Sequence, residues 1–520
     1  MDVRLTLAGW DARTKAAASI SLSPEALEKA VSTIASDPGT GRDTSKNELG
    51  TVRGPGASDR RVPQRFRPPG ALNTNPRTAV RAPGRRDPPP RILAAHNERG
   101  AVRDPLDPRT ARWAVVVLED DAAAAKSALA DLLSHRIDAG VAFDKHAMIG
   151  GEKGILRMSR PSSENPDRWF ERATEAAGGK LPPYLLFVGG PERFPFDVVE
   201  RFDREHATGR LDLGDTPDGP FSWDACAAYA KKVVEFETGN LPVEPQALLY
   251  AFGTDEATRR SRDEMILPLR KTIEDGTLVR RPGLGPVSAK TLFDAEATTE
   301  NLFKTLSTAR PAVVLAATHG LEFPANRADW GALTDQSFVG AGGGQALSAA
   351  SVLANGQAPF APGAVMFSFA CYSGGVPKKS AITFLEKSTD TDLPDAPFVP
   401  ALPRALLAAK NGPVAFVGHV DRATSESFAW ADDGPGAFVD FIEWTCGGNG
   451  TLGQAMRSLR ESVAAASLDL AAALTPALGG KRRGTPERIL RAWIRYHDMR
   501  GYLLLGDPWV EPRCGLVSAR

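Results

Sequence analysis

From residue 113 onwards, short apolar runs of strand length recur along the chain. They read WAVVVL (113–118), YLLFVG (184–189), ALLYAF (247–252), AVVLAA (312–317), AVMFSFA (364–370), VAFVG (414–418) and YLLLG (502–506). Each is apolar on both faces, as expected of a strand covered by helices above and below rather than one with a wet face. Helical stretches lie between them, among them AAAAKSALADLLSH, DACAAYAKKVVEFE, TRRSRDEMILPLRKTIED and TENLFKTLST. This alternation predicts an α/β fold, a mostly parallel sheet sandwiched by helices. A break near Gly239–Pro245 marks a smaller N-terminal α/β subdomain over 111–240 and a larger subdomain over 241–520. The chain carries no internal repeat.

The first 110 residues read differently. Residues 1–37 predict a strand (Val3–Leu7) and then a helix with Ser23 as N-cap and Pro24 at its first position. From 38 to 110 the chain is rich in Pro, Gly and Arg and poor in aliphatics. Such a stretch buries too little apolar surface to offset its ordering entropy and predicts a disordered basic linker. The first reading is a solvated spacer; the alternative, given Arg60-Arg61 and Arg85-Arg86, is a segment whose cleavage would activate the chain. The segment 1–37 is where a regulatory partner would dock.

Composition narrows the partners. Over 520 residues, Lys+Arg and Asp+Glu both number 63, so the net charge is zero. A balanced chain has no electrostatic pull toward nucleic acid or an anionic membrane. The start, MDVRLTLAGW, lacks the apolar core of a secretory signal, and no run reaches the ~18–20 apolar residues of a membrane span. The four cysteines (226, 371, 446 and 514) include no CxxC pair, which argues against a zinc site or a disulfide framework. The expectation is a cytoplasmic protein with no metal and no cofactor. GAGGG (340–344) lacks the Lys-Ser/Thr of a phosphate-binding loop and reads as a loop flanking the site. Glu119-Asp120-Asp121 reads as an acidic helix start favoured by the dipole.

In open α/β sheets ligands bind beyond the carboxyl ends of the strands. Of the cysteines, only Cys371 directly follows an apolar run; of the seven histidines, His319 and, as its competitor, His419 do so. Singly, a cysteine at a strand end is more often a small buried hydrophobe. A thiol and an imidazole at the ends of consecutive runs, each followed by small residues, point instead to nucleophilic catalysis. His319 would take the proton of Cys371, while the N–H groups of Gly320 and Cys371 would receive an oxyanion. An alternative starts from Cys371-Tyr372-Ser373-Gly374-Gly375, one substitution from a G-x-S-x-G elbow. There Ser373 would attack, with His419 or His497 as base, as in a serine esterase. A catalytically silent scaffold that holds a partner is the other alternative.

THG (318–320) and FACYSGG (369–375), with the histidine and cysteine 52 positions apart, resemble the caspase-like cysteine peptidases, which include caspases, metacaspases, clostripain and gingipains. Phe369 stands where caspases have glutamine, so this is not a strict caspase. The likeness is closer to gingipain-type bacterial members and extends over about 180–515, through YLLFVGGPERFPF (184–196), GRLDL (209–213), GHVDRATSESF (418–428) and LLLGDPWV (503–510). The resemblance implies a caspase-like fold and an endopeptidase acting on proteins or peptides, with His319 as base, Cys371 as nucleophile and Gly320 as oxyanion donor. It also implies that the residue selecting the substrate side chain lies in 253–265. Arg259 or Arg260 there would favour an acidic residue, whereas Asp255 or Asp263 would favour a basic one, the reading preferred here. Asp421 and Arg422 are secondary pocket candidates.

Overall fold

All seven apolar runs form strands. The strands are β1 (Leu5–Asp11), β2 (Ala16–Leu22), β3 (Trp113–Leu118), β4 (Ile155–Met158), β5 (Tyr184–Val188), β6 (Ala207–Leu211), β7 (Glu244–Ala251), β8 (Ser288–Phe293), β9 (Pro311–Ala317), β10 (Val365–Phe369), β11 (Ala415–His419) and β12 (Tyr502–Gly506). The computed structural model describes residues 5–11, 16–22, 104–143, 153–160, 166–239, 243–280, 282, 284–321, 330–332, 346–354, 359–382, 394–429, 435–474 and 486–512. The helix expected after Ser23, most of the linker, GAGGG (340–344) and Cys514 lie outside these residues.

Ten strands form one mostly parallel sheet in the order β4-β3-β5-β6-β12-β11-β10-β9-β7-β8. The chain is thus an α/β protein, with helices packed on both faces. Successive side chains of β3 show why its run is apolar throughout. Trp113, Val115 and Val117 enter one core, while Ala114, Val116 and Leu118 enter the core on the opposite face. Each buried aliphatic side chain of this size contributes roughly 1.5–3 kcal/mol.

Three strands of this sheet were not foreseen. β4 and β8 are its edges, and β8 alternates in exposure instead of being apolar throughout. β6 is central but reads ATGRL. A side chain at Gly209 would collide with the Gly506 carbonyl, so only glycine fits at that crossing. Arg210 is buried because its guanidinium donates to the carbonyls of Gly189 (2.9 Å) and Phe194 (2.5 Å). At the N-terminus the reading found one strand where the structure has a separate antiparallel hairpin, β1 pairing β2 from Leu5↔Leu22 to Asp11↔Ala16.

The break near Gly239–Pro245 does not interrupt the sheet. Four strands come from before it and six from after it, and they meet where β6 lies beside β12, at Leu505↔Arg210. Contacts at both ends align the halves. Beyond β12, Asp507 accepts a hydrogen bond from the indole of Trp113, which opens β3. At the other end, Gly375, beyond β10, packs against Phe196, beyond β5. The carboxyl ends of β7, β8, β9, β10 and β11, all parallel neighbours, share one rim.

Candidate active site

Three adjacent strands set the geometry of that rim. Ala251 of β7 pairs with Ala317 of β9, and Ala317 pairs with Phe369 of β10. The next residues of each strand leave the sheet side by side. His319 and Cys371 each stand two positions past their strand, and Asp255 stands four past β7. The two loops touch: a Cβ on Gly320 would fall on the Cys371 carbonyl oxygen and lie 3.0 Å from the Cys371 nitrogen. Glycine is required there because the backbones of the histidine and cysteine loops are in direct contact.

Asp255 caps the helix Glu256–Arg260. Its Oδ1 accepts from the Thr258 N–H at 2.9 Å and from the Thr258 hydroxyl at 3.0 Å. Its Oδ2 lies 2.5 Å from His319 Nε2. Burial works against the charge, but the hydrogen bonds from His319 and Thr258 prevail and hold this carboxyl down at about 2. An ionised carboxylate on Nε2 fixes the ring and, in the neutral imidazole, places the proton on Nε2.

Cys371 is half-buried, whereas Cys226 and Cys446 are buried. Burial pushes the Cys226 thiol well up, so it is inert. The turn after Cys371 is strained and locked. Tyr372 has φ 56° and donates its N–H to the Asp421 carbonyl at 2.6 Å. Its ring meets Trp330 edge-on at 5.2 Å, and its hydroxyl accepts from Arg422 Nε at 2.8 Å. Cys371 packs against this apolar cluster of Trp330, Tyr372, Val376 and Phe398, and its Sγ lies 3.7 Å from the Ala423 carbonyl in the loop after β11.

The remaining candidates have other partners. Arg260 is buried, forks onto both oxygens of Glu264 at 2.9 and 3.0 Å, and reaches Ser425 Oγ at 3.0 Å. Asp263 pairs with Arg262 Nε at 2.8 Å on the surface. Arg259 is exposed, with its stem beside Gly253. Asp421, at φ 81°, accepts from the N–H groups of Ala381 and Arg422, both at 2.8 Å, and burial raises its carboxyl. Asp421 and Arg422 thus brace the loops behind Cys371.

Ser373 has a structural role. It is fully buried, with its hydroxyl 2.8 Å from the Ala370 carbonyl, and it accepts the His419 N–H at 2.9 Å. His419 is buried too, between the carbonyls of Asp421 and Asp498. His497 lies tilted against Trp493 at 4.1 Å between ring centroids, and burial holds it neutral. Glu119–Asp121 form a helical turn ahead of the helix Ala122–Ala128, and Asp121 pairs with Arg193.

Sequence reasoning assigned Asp255 to a substrate pocket and did not single out Asp498, which anchors the loop after β11. No group of three or more acidic, histidine or cysteine side chains suited to holding a metal occurs among the described residues, and no helix there is long and apolar enough to cross a membrane. No protein-family model matches this chain, and no curated protein matches it.

Proposed function

We propose that the chain is a cysteine peptidase of the caspase-like kind. The observation that carries this reading is the row Asp255, His319 and Cys371 on three adjacent strand ends, with Gly320 against the Cys371 backbone. In the proposed reaction the Cys371 thiol gives its proton to His319 Nδ1 as Sγ attacks the substrate carbonyl carbon. The oxyanion faces the N–H groups of Gly320 and Cys371. Collapse expels the amine, which takes the proton from His319, and leaves a thioester. Water, deprotonated by His319, then releases the acid and restores the thiol.

Arg260, Asp263, Asp421 and Arg422 have partners of their own, and Asp255 engages the histidine. Fluorogenic peptides with Arg, Lys or Asp before the cleaved bond, together with a peptidyl chloromethyl ketone, test the reading. The expected result is hydrolysis of one class and a mass adduct on Cys371. If the full chain cleaves none of the peptides and Cys371 stays unmodified, the catalytic reading fails and a scaffold role replaces it.

Asp255→Asn is expected to lower kcat by about a hundredfold, because the amide no longer secures the tautomer or supports the imidazolium. The acid limb of stability should change as well. A carboxyl lowered from its ordinary value to about 2 contributes stability that is present above pH ~4 and lost as pH falls toward 2. The amide variant should lose that dependence. Thermal melting between pH 2 and pH 6 measures it.

A further inference from the structure

The loop after β11 faces Cys371, yet what holds it there comes from a distant helix. Asp498, on the helix Pro486–Arg500, is 2 % exposed. Its Oδ1 accepts from the Thr424 N–H at 2.8 Å, and its Oδ2 accepts from the Thr424 hydroxyl at 2.8 Å and the Ser427 hydroxyl at 2.5 Å. Tyr502 donates to that same Ser427 hydroxyl at 2.9 Å. The other end of the loop is fixed by His419. Its Nε2 lies 2.8 Å from the Asp498 carbonyl and 3.4 Å from Oδ1, and its Nδ1 lies 3.2 Å from the Asp421 carbonyl. Two carbonyl acceptors on one ring require both nitrogens to donate, and a buried imidazolium needs the Asp498 carboxylate beside it. Hydrogen bonds and charge from Asp498 outweigh burial and raise the His419 pKa, in accord with that geometry.

Between these two anchors lies Ala423, whose carbonyl is the neighbour of Cys371 Sγ. The same helix also reaches the loop beyond Cys371, where the Trp493 indole donates to the Ala381 carbonyl at 3.2 Å. Asp421 joins the two loops by accepting the Ala381 N–H. Both segments flanking the thiol are therefore moored on one helix, and a single carboxylate receives most of the bonds from the β11 loop.

We propose that Asp498 is a positioning residue, setting the loop 421–427 against Cys371 so that a peptide is held in register for attack. This rests on the peptidase reading above. The anchor acts on substrate placement and leaves proton transfer between Cys371 and His319 in place, so its loss should appear in KM before kcat.

The test compares the wild-type full chain with Asp498→Asn and with the Thr424→Val/Ser427→Ala double variant, which removes donors from the loop side and leaves the carboxylate in place. For each, peptide kcat and KM, the rate of Cys371 alkylation by iodoacetamide and the melting temperature are measured. Expected is a roughly tenfold rise in KM in both variants, with alkylation rates within about twofold of wild type. Combining the variants should give less than the product of their separate effects, because both break the same bonds. Unchanged KM in the folded double variant overturns the proposal. So does a KM rise confined to Asp498→Asn, or alkylation falling in step with turnover. A wild-type chain that neither hydrolyses peptides nor is alkylated at Cys371 overturns the peptidase reading itself, and this proposal with it.

Discussion

Cys371→Ala is expected to abolish peptide hydrolysis, with kcat at least about 10⁴-fold lower, while Ser373→Ala retains turnover within about threefold. The contrast follows from where the two side chains point. The Cys371 side chain is half-buried at the rim where the histidine loop touches its backbone. The Ser373 hydroxyl is fully buried among the carbonyls of Ser368 and Ala370 and the N–H of His419. Removing it leaves the buried His419 N–H without its acceptor, a cost of about 1–3 kcal/mol. Ser373→Ala should therefore melt earlier and still cleave, whereas Cys371→Ala should fold normally and not cleave. Steady-state rates and melting curves on the two variants separate these outcomes. Activity surviving in Cys371→Ala and lost in Ser373→Ala would transfer the nucleophile to the serine.

The rim could be read from sequence because two facts about His319 and Cys371 are local. Each stands just past a continuous apolar run, with Gly320 after His319 and Ser373-Gly374-Gly375 shortly after Cys371. The role of Asp255 was not local. Strand β8 precedes β9 in the chain, yet the sheet places β7 beside β9 and sends β8 to the edge. Only that non-sequential order brings the loop after β7, rather than the one after β8, to the imidazole. Asp498 is further removed still, reaching the β11 loop from a helix whose sequence shows only a charged, half-apolar pattern. β6 was hidden for a related reason. A strand holding Gly209 and Arg210 at its centre is stable because Gly506 crosses it and two carbonyls receive the guanidinium, contacts that no hydrophobic pattern records.

Arg136→Met is expected to cost about 3–5 kcal/mol of stability and to leave the kcat of the folded fraction unchanged. Arg136 lies at the opposite end of the sheet from Cys371 and is 2 % exposed. Its guanidinium donates to both carboxylate oxygens of Glu237, at 2.5 and 3.0 Å, and to Asp507 at 2.7 Å. Asp507 also accepts the Trp113 indole at 2.9 Å and the Trp509 N–H at 3.0 Å, and its own N–H reaches the Tyr229 hydroxyl at 2.8 Å. Trp113, Arg136 and Glu237 belong to the four-strand half, and Asp507 follows β12 of the six-strand half. The network therefore fastens the halves where β6 and β12 meet. Glu237 shows the balance: burial opposes its charge, but Arg136 and His135 hold it at about 2. Methionine fills much of the arginine volume but takes the guanidinium away from two buried carboxylates, leaving Glu237 with His135 and Asp507 with its N–H donors, so both are drawn toward protonation. The variant should thus be least stable at neutral pH and recover part of its loss as the medium is acidified. The wild type should show no such recovery between pH 8 and pH 5, since a depressed Glu237 loses its contribution only as pH falls from ~4 toward 2. Denaturant melts of both proteins at pH 5 and pH 8 check the sign. A gap that does not narrow toward pH 5 would mean that the carboxylates are not what the arginine compensates.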